Sequence, residues 1–488
     1  EYTPRHMSPE FAMEAAMTLA ANGIKAYKFE SLRPTPELSF AVRELGCIAG
    51  INITASHNPP EYNGYKVYWE DGAQFTPPHD KGVTEEVLAI EDLSTVKTTD
   101  EASAAAAGKY EVIGREIDDK YIAQVKAQVV NQKAIDEMQD QISIVYTPLH
   151  GTGNIPARRV MKELGFTHVY VVPEQELPDG GFPTVSYPNP EAAEAFSLGL
   201  KLAGEKNADL VLATDPDADR LGVYVKDAGS GEYIPLTGNM SGSLLCEYVL
   251  SQKKAAGKIP EDGQVIKSIV STNLIDAVAK EYGCELIEVL TGFKWIGQVL
   301  KNEKTGRGTY LFGMEESYGC LIGTYARDKD AISATAALCE AAAYYKQKGM
   351  TLWDAMVAMY EKYGYYKDAV KSIGLSGIEG LAKIQSIMET LRNNTPKEVG
   401  GYKVVSARDY KLDTIKDMAS GEVKPTGLPS SNVLYYDLND GAWICVRPSG
   451  TEPKIKFYYG IKGSSMEDAD AKSEALGAAV MAMVDKMM

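Results

Sequence analysis

The chain reads as an α/β protein: three α/β domains with mixed, mostly parallel sheets, followed by a C-terminal α+β domain. Three observations predict this. The 488 residues are too many for one hydrophobic core. Helix-period and strand-period segments alternate in three successive rounds, the pattern of parallel sheets covered by helices. The last 120 or so residues break that rhythm, with several strands in succession before one closing helix.

The first helix takes Ser8 as its cap, Pro9 at its first position and Phe11, Ala15 and Leu19 as its apolar face, and Asn22-Gly23 stops it. The chain starts at Glu1 without a methionine. A shortened N-terminus is therefore expected, with no strand upstream to support this helix. A strand over 24–29 follows, then a helix capped by Thr35 with Pro36 at its first position. Leu38, Val42 and Leu45 face inward and Gly46 lies past its end. The apolar run 47–53 is a buried strand. Residues 98–108 are small, polar and aperiodic, and read as a surface loop. The second round runs through a strand at 142–146, a turn at 149–153, a helix at 157–164, a strand at 169–172, a helix at 191–203 and a strand at 210–213. The third has helices at 241–252 and 273–282 and strands at 264–270, 285–290 and 310–312. The last segment has helices ending at 363 and 391, then strands at 402–405, 432–436, 443–446 and 456–459. Ser465 and Asp468 form a capping box for the final helix, which turns Leu476, Val480, Met483 and Val484 to one side. Domain boundaries are placed at 1–117, 118–236, 237–365 and 366–488.

Charge and composition narrow the function classes. With 50 basic and 67 acidic side chains the net charge is −17, which disfavours nucleic acid and anionic membranes as partners. Six cysteines are scattered without a Cys-x-x-Cys pair, as in a reducing compartment. No apolar run is long enough to span a bilayer, and a cytoplasmic location is expected.

Four motifs carry chemistry. Thr54-Ala55-Ser56-His57-Asn58-Pro59 places a serine on a tight loop after a buried strand. Serine needs a group to take its proton and stabilise what it carries, and His57 and Lys66 stand nearby in sequence. By itself this loop is equally an ordinary turn before proline. In Asp215-Pro216-Asp217-Ala218-Asp219-Arg220, alternate carboxylates project to one side of an extended segment and can converge on one hard cation. An EF-hand is excluded, because its glycine position is Arg220 and its twelfth is Lys226. A divalent ion at the end of a buried strand suits phosphoryl transfer. Arg447-Pro448-Ser449-Gly450-Thr451 sits between two strands and offers a guanidinium, hydroxyls and a close backbone approach, the makings of a phosphate cradle. Glu315 and Ser317 offer partners for sugar hydroxyls, while Thr291, Gly292, Lys294, Arg327 and Lys329 belong to runs whose cations can meet a second phosphate. There is no Gly-x4-Gly-Lys-Ser/Thr loop, and the Gly151/Gly153 pair lacks the third glycine of a dinucleotide fingerprint. ATP and NAD are poor candidates.

Taken together, T-A-S-H-N-P, D-P-D-A-D-R, G-F-K-W, E-E-S-Y-G and R-P-S-G-T-E-P-K resemble, in order, the motifs of the α-D-phosphohexomutases, the phosphoglucomutase/phosphomannomutase family. The E-E-S-Y-G loop and Asn63-Gly64-Tyr65-Lys66-Val67-Tyr68-Trp69 look most like the bacterial α-phosphoglucomutases of that group. The resemblance implies four domains around a central active-site cleft and a reaction between glucose 1-phosphate and glucose 6-phosphate through a sugar 1,6-bisphosphate. Ser56 would carry the phosphate and, with Asp215, Asp217 and Asp219, bind Mg2+. His57 and Lys66 would handle protons, with Arg220 completing the catalytic set. Glu315 and Ser317 would read the sugar, and Arg447, Ser449, Gly450 and Thr451 would hold the non-reacting phosphate. Glucose 1,6-bisphosphate would prime the enzyme. The partners implied are small phosphosugars, with the protein a monomer or weak dimer. The family's N-terminal F-G-T-x-G-x-R-G motif is absent, and Glu1-Tyr2-Thr3-Pro4-Arg5 stands where relatives read G-x-D-S-R, so a first strand and an active-site arginine are expected to be missing. Phosphomannomutase or phosphopentomutase specificity, a phosphoserine-dependent phosphatase and a non-catalytic sugar-phosphate binder are the alternatives.

Overall fold

A computed structural model of the chain describes residues 1–301, 308–375, 377–449 and 453–488. They form two compact units, one of Glu1–Ser268, Ala279–Ile287 and Gly292–Met356, the other of Ile269–Val278, Glu288–Thr291 and Val357–Met488.

The larger unit is built on several sheets. In its five-stranded sheet, His168–Val171, Ser143–Thr147 and Leu210–Thr214 run parallel, and Leu221–Lys226 and Tyr233–Leu236 continue it antiparallel. All five residues of Leu210–Thr214 are buried. Such a strand reads as one continuous apolar run, and its carboxyl end, like others in parallel sheets, is where a ligand site forms. Gly263–Ser268 and Thr309–Glu315 pair in parallel, and Gly319–Ile322 folds back antiparallel on the latter. Helix Ala331–Gln347 is buried along its first thirteen residues. Asp330 caps it by accepting hydrogen bonds from the backbone N–H groups of Ile332 and Ser333.

The N-terminal segment differs from expectation in four respects. The strand Ala49–Ile53 pairs antiparallel with Tyr65–Trp69, while Ala26–Phe29 pairs in parallel with Tyr110–Ile113, so the first round does not make one parallel sheet. Helix Ser8–Ala21 starts from Met7 in the left-handed region (φ 63°), so Ser8 is its first residue and not its cap. It turns Ala12, Ala16, Met17 and Ala20 inward, and Phe11 is 46 % exposed. The alanines let the helix lie close on Ala26 and Tyr110. That helix is therefore supported. Residues 1–3 also line up beside Ala49–Ile53: Tyr2 makes a parallel bridge to Ile53, and Thr3 N donates to Ile53 O at 3.1 Å. Finally, the expected loop at 98–108 contains the helix Glu101–Ala106, capped by Asp100 through Ser103 N. Its alanine content is what favours it.

The second unit is mainly an antiparallel sheet, ordered Tyr365–Gly374, Lys454–Gly463, Trp443–Pro448, Leu434–Leu438, Tyr402–Asp409, Thr414–Asp417 and Val423–Lys424. Ten residue pairs join the first two strands. The expected element order lacks Tyr365–Gly374, because Lys367, Asp368 and Lys371 break its alternation. Charged residues of this kind are suited to an edge strand. The closing helix Met466–Asp485 is capped by Ser465, and Leu476, Val480 and Val484 are fully buried against the sheet. Among the described residues no helix is long and apolar enough to cross a membrane.

Two substitutions test this packing. Leu476→Ala should cost about 2–5 kcal/mol, the range for emptying a buried leucine site. Phe11→Ala should stay within about 0.5 kcal/mol, as at exposed positions away from special contacts. Urea unfolding of each variant measures both; the reverse order would contradict the inward faces described here.

Candidate active site

The larger unit brings the Ser56 hydroxyl and a cluster of buried charges to the end of strand Leu210–Thr214. Asp215, Asp217 and Asp219 are no more than 1 % exposed. One carboxylate oxygen from each lies within 4.8 Å of the others. Asp215 Oδ1 accepts from the backbone N–H groups of Asp219 and Arg220, at 3.1 and 3.0 Å, which turns the loop around its own carboxylate. Ala218 sits in the left-handed region (φ 51°). The turn at 148–153, excluded above as a dinucleotide loop, props this segment: Thr152 N donates to Pro216 O at 2.9 Å, and a Cβ on Gly151 would lie 2.6 Å from Pro216 Cα.

Ser56 faces this cluster. Its hydroxyl donates to Asp215 Oδ2 at 3.0 Å and lies 3.2 Å from His57 Nδ1. Ser56 is in the left-handed region (φ 52°), and its N–H donates to Thr54 Oγ1 at 2.9 Å. Arg5 holds the rest of the loop. Its NH1 donates to Pro59 O and Tyr62 O, both at 2.9 Å, and its NH2 to Ser56 O at 2.6 Å and to Asn58 O. Arg5 is itself buried, 3 % exposed, against the serine loop.

Three cations balance the carboxylates. Lys66 Nζ is 3.0 Å from Asp217 Oδ2 and 3.8 Å from Asp219 Oδ2. Lys329 Nζ is 3.0 Å from Asp219 Oδ2 and 3.2 Å from Asp328 Oδ1. Its stem passes over Gly319, where a Cβ would collide with it. Arg220 pairs with Glu191 at 3.0 Å and reaches Asp219 at 3.8 Å. Asp217 Oδ2 also accepts from Thr35 Oγ1 at 3.1 Å and Thr54 Oγ1 at 3.3 Å. Thr35, expected as a helix cap, is the first residue of helix Thr35–Glu44 and gives its hydroxyl to the aspartate instead.

The protonation pattern follows from this geometry. Burial, then the charges of Asp217 and Asp219, push the Asp215 carboxyl well above its ordinary range. Asp219 is raised by burial and by Asp217. Burial opposes ionisation of Asp217 too, but the adjacent Lys66 overrides it and holds that carboxyl below the ordinary value. Burial and the Arg220 charge bring His57 down to about 2, so its ring is neutral. Among the described residues, Asp217 Oδ1 and Asp219 Oδ1 are buried without a hydrogen-bond partner. Two unpartnered oxygens in a cluster of three carboxylates are a donor set for a hard, oxygen-seeking divalent cation. The residues fit such a metal.

The other expected site residues fall as follows. Glu315 is buried and accepts from Gly292 N at 2.6 Å, and burial pushes its carboxyl up to about 7. Lys294 lies over the Trp295 ring at 5.3 Å, and Ser317 and Thr291 are half-buried. Arg327 turns NH1 onto the carbonyls of Thr324 and Ala326, and its N–H donates to Ser39 Oγ at 2.8 Å. In the second unit Arg447 stands opposite Lys456 on paired strands, and Ser449 N donates to Lys454 O at 2.7 Å. Gly450 and Thr451 lie outside the described residues. Arg5, Thr35, Thr54 and Asp328 were not among the expected site residues. The Arg-Asp-Lys-Asp run at 327–330 was the available signal for Asp328, whose Oδ2 accepts from Tyr68 and Gln74 at 2.8 and 2.7 Å.

The chain matches four successive domains of one family. These are phosphoglucomutase/phosphomannomutase alpha/beta/alpha domains I (residues 3–94), II (119–231) and III (237–363) and its C-terminal domain (388–476). The chain belongs to the phosphoglucomutase/phosphomannomutase family. It is therefore an α-D-phosphohexomutase, an enzyme of the phosphotransferring mutase class. A phosphoglucomutase of Staphylococcus saprophyticus is 35 % identical over 475 residues, covering 97 % of this chain and 84 % of its own length. One from Staphylococcus epidermidis is 37 % identical over 461 residues, covering 94 % and 81 %. The crystal structure of the Paramecium phosphoglucomutase pp63/parafusin, in an open form, shares the fold at 18 % identity, with a TM-score of 0.72 over 100 % of this chain and 86 % of that one.

The triad's asymmetry is testable without metal. In chelator Asp215→Asn should hold or raise stability, because it removes a carboxylate whose ionisation is disfavoured in the folded state. A raised carboxyl loses stability as pH climbs above its unfolded value, so wild type should fall relative to this variant as pH rises from about 4. Asp217→Asn should be destabilising, since it strips Lys66 of its nearest counter-charge. Thermal melts across this pH range decide it, and equal behaviour of the two variants would contradict the assignment.

Proposed function

We propose that this phosphohexomutase interconverts glucose 1-phosphate and glucose 6-phosphate through a phosphorylated Ser56. The observation that carries the reading is the Ser56 hydroxyl, 3.0 Å from Asp215 in a triad with two unpartnered oxygens. The relatives named phosphoglucomutase, at 35 and 37 % identity, support glucose as the sugar. Each family domain match falls inside one of the four expected domains, which supports the boundaries 1–117, 118–236, 237–365 and 366–488.

In this reading Asp215, Asp217 and Asp219 hold Mg2+, which supplies positive charge at the transferring phosphoryl group. The bond from phosphorus to Ser56 Oγ breaks as a bond to the free sugar hydroxyl forms. That hydroxyl gives up its proton and Oγ regains one. Lys66 and His57 handle these protons: the neutral His57 ring lies at hydrogen-bond distance from Oγ, and Lys66 brings an ammonium to Asp217. The resulting glucose 1,6-bisphosphate turns over and returns its other phosphate to Ser56, and the same compound primes unphosphorylated enzyme. Glu315 and Ser317 read the sugar hydroxyls. Thr291, Gly292, Lys294, Arg327, Lys329, Arg447, Ser449, Gly450 and Thr451 serve the substrate's phosphates, and Arg220 steadies the triad. Arg5 positions the serine loop.

Ser56→Ala should abolish interconversion of the two glucose phosphates. Intact-mass measurement after incubation with glucose 1,6-bisphosphate should show one added phosphate on wild type and none on the variant. Phosphorylation retained in Ser56→Ala would overturn the assignment.

A further inference from the structure

Residues 177–187 contribute none of the side chains assigned above to the Ser56 site, yet this loop meets that site at two places. Arg5 Cζ lies 5.1 Å from the centre of the Phe182 ring. The Tyr187 ring meets the His57 ring edge-on, with centres 5.6 Å apart and planes at 72°. Phe182 is 1 % exposed and belongs to the core cluster of Val145, Leu149 and Val172. Its backbone is left-handed (φ 46°), a conformation that a bulky residue keeps when its surroundings enforce it. Phe182 N donates to Asp179 O, and Val185 N to Phe182 O, both at 3.2 Å. Gly180 lies against residues 4–6: a Cβ there would stand 3.0 Å from Pro4 O and 3.1 Å from Arg5 Cα.

The same loop is fastened to the turn that props the aspartates. His150 Nδ1 donates to Leu177 O at 3.1 Å, and its Nε2 is 2.8 Å from Thr184 Oγ1. Asp179 N donates to His150 O at 3.3 Å, and His150 N to Gln175 O at 2.9 Å. Two residues on, Thr152 N donates to Pro216 O. One turn thus fixes both the aspartate loop and residues 177–187. Arg5 carries the link onward to the serine loop. Its four bonds to carbonyls of that loop leave from NH1 and NH2, and its Nε is buried with no hydrogen-bond partner among the described residues. Bonds from one end of a guanidinium leave its plane able to swing, and a ring against its face restrains that motion. Such a contact is stronger away from water.

We propose that Phe182 is a positioning residue for the phosphoryl-transfer step: its ring sets Arg5, and Arg5 sets the loop that carries Ser56. The proposal rests on the reading of Ser56 as the residue that takes the phosphate. Ser56 lies in the first family domain, Phe182 and the aspartates in the second. The stack therefore holds the nucleophile of one domain in register with the carboxylates of the other. A misplacement of about 1 Å at a reacting group costs about a hundredfold in rate.

Single-turnover loading of Ser56 from glucose 1,6-bisphosphate, followed by intact mass, tests the proposal together with hydrogen exchange of the unphosphorylated protein. Phe182→Leu removes the ring and keeps an apolar side chain. It should slow loading at saturating bisphosphate by about tenfold or more, with the half-saturating concentration within about twofold of wild type. Arg5→Lys should also be slow, and the double variant should be no more than about twofold slower than Arg5→Lys alone, as for residues acting through one another. Losses that multiply would overturn the proposal, and so would a half-saturating concentration that rises in step with the lost rate. In hydrogen exchange, Phe182→Leu should speed the amides of residues 55–58 and leave those of 210–214 unchanged. Gly180→Ala, which presses on Arg5 from outside the core, should do the same, and it carries both measurements if Phe182→Leu does not fold. Exchange unchanged at 55–58, or raised equally in both segments, would overturn the proposal. The exchange measurement does not depend on phosphate, so a wild-type Ser56 that takes up none would sink the functional reading and leave the positioning role to be decided by exchange.

Discussion

Three carboxylates buried within 4.8 Å of one another are the constraint around which the larger unit is organised. At an effective dielectric near 20, each such pair repels by roughly 3–4 kcal/mol when both are ionised. The fold answers with cations from separate segments: Lys66 on the strand Tyr65–Trp69, Lys329 just before the helix Ala331–Gln347, and Arg220 on the loop itself. Lys329 then needs a partner beyond Asp219, and Asp328 supplies it. Asp328 is held by Tyr68, which lies two residues along from Lys66 on the same strand. The charges thus close a loop through three parts of the chain. Local sequence determines each part, but only the tertiary arrangement balances them.

Backbone strain collects at the same place. Ser56, Ala218 and Tyr318 all adopt left-handed conformations, at φ 52°, 51° and 66°. Non-glycine residues there cost about 1–3 kcal/mol each and persist only when the surroundings enforce them. Thr54 Oγ1 and the four carbonyl contacts of Arg5 enforce the first. The Asp215 carboxylate, through Asp219 N and Arg220 N, enforces the second. Leu221 N, which donates to Tyr318 O, ties the third loop to the residue that follows the aspartate motif. Two of the strained residues lie in the Ser56 loop and the aspartate loop, and the third is tied to the latter.

Much of this was legible in the sequence. The alternation of helices and strands around 142–213 appears in the structure, because buried parallel strands such as Leu210–Thr214 are unbroken apolar runs. The closing helix was readable down to its Ser465 cap. Short or charged strands were not: Tyr365–Gly374 carries Lys367, Asp368 and Lys371 in a ten-residue edge strand, and Tyr110–Ile113 is only four residues long. Phe11 misled because the small residues Ala12, Ala16 and Ala20, and not the bulkiest apolar one, set the inward face. In the site, Ser56 and the three aspartates stood out because their spacing is itself the chemistry. Arg5, Thr35 and Thr54 did not, because their partners are backbone carbonyls and a carboxylate up to 182 residues away. Nothing local marks such a contact.

The central claim is that the Ser56 oxygen and the three aspartates share one metal. Phosphorus NMR of the Ser56-phosphorylated protein with Mn2+ in place of Mg2+ tests it directly. The account predicts that stoichiometric Mn2+ broadens the phosphoserine resonance strongly, and that Asp215→Asn weakens this effect at equal Mn2+. A phosphoserine resonance left sharp by Mn2+ that binds the wild-type protein would contradict it.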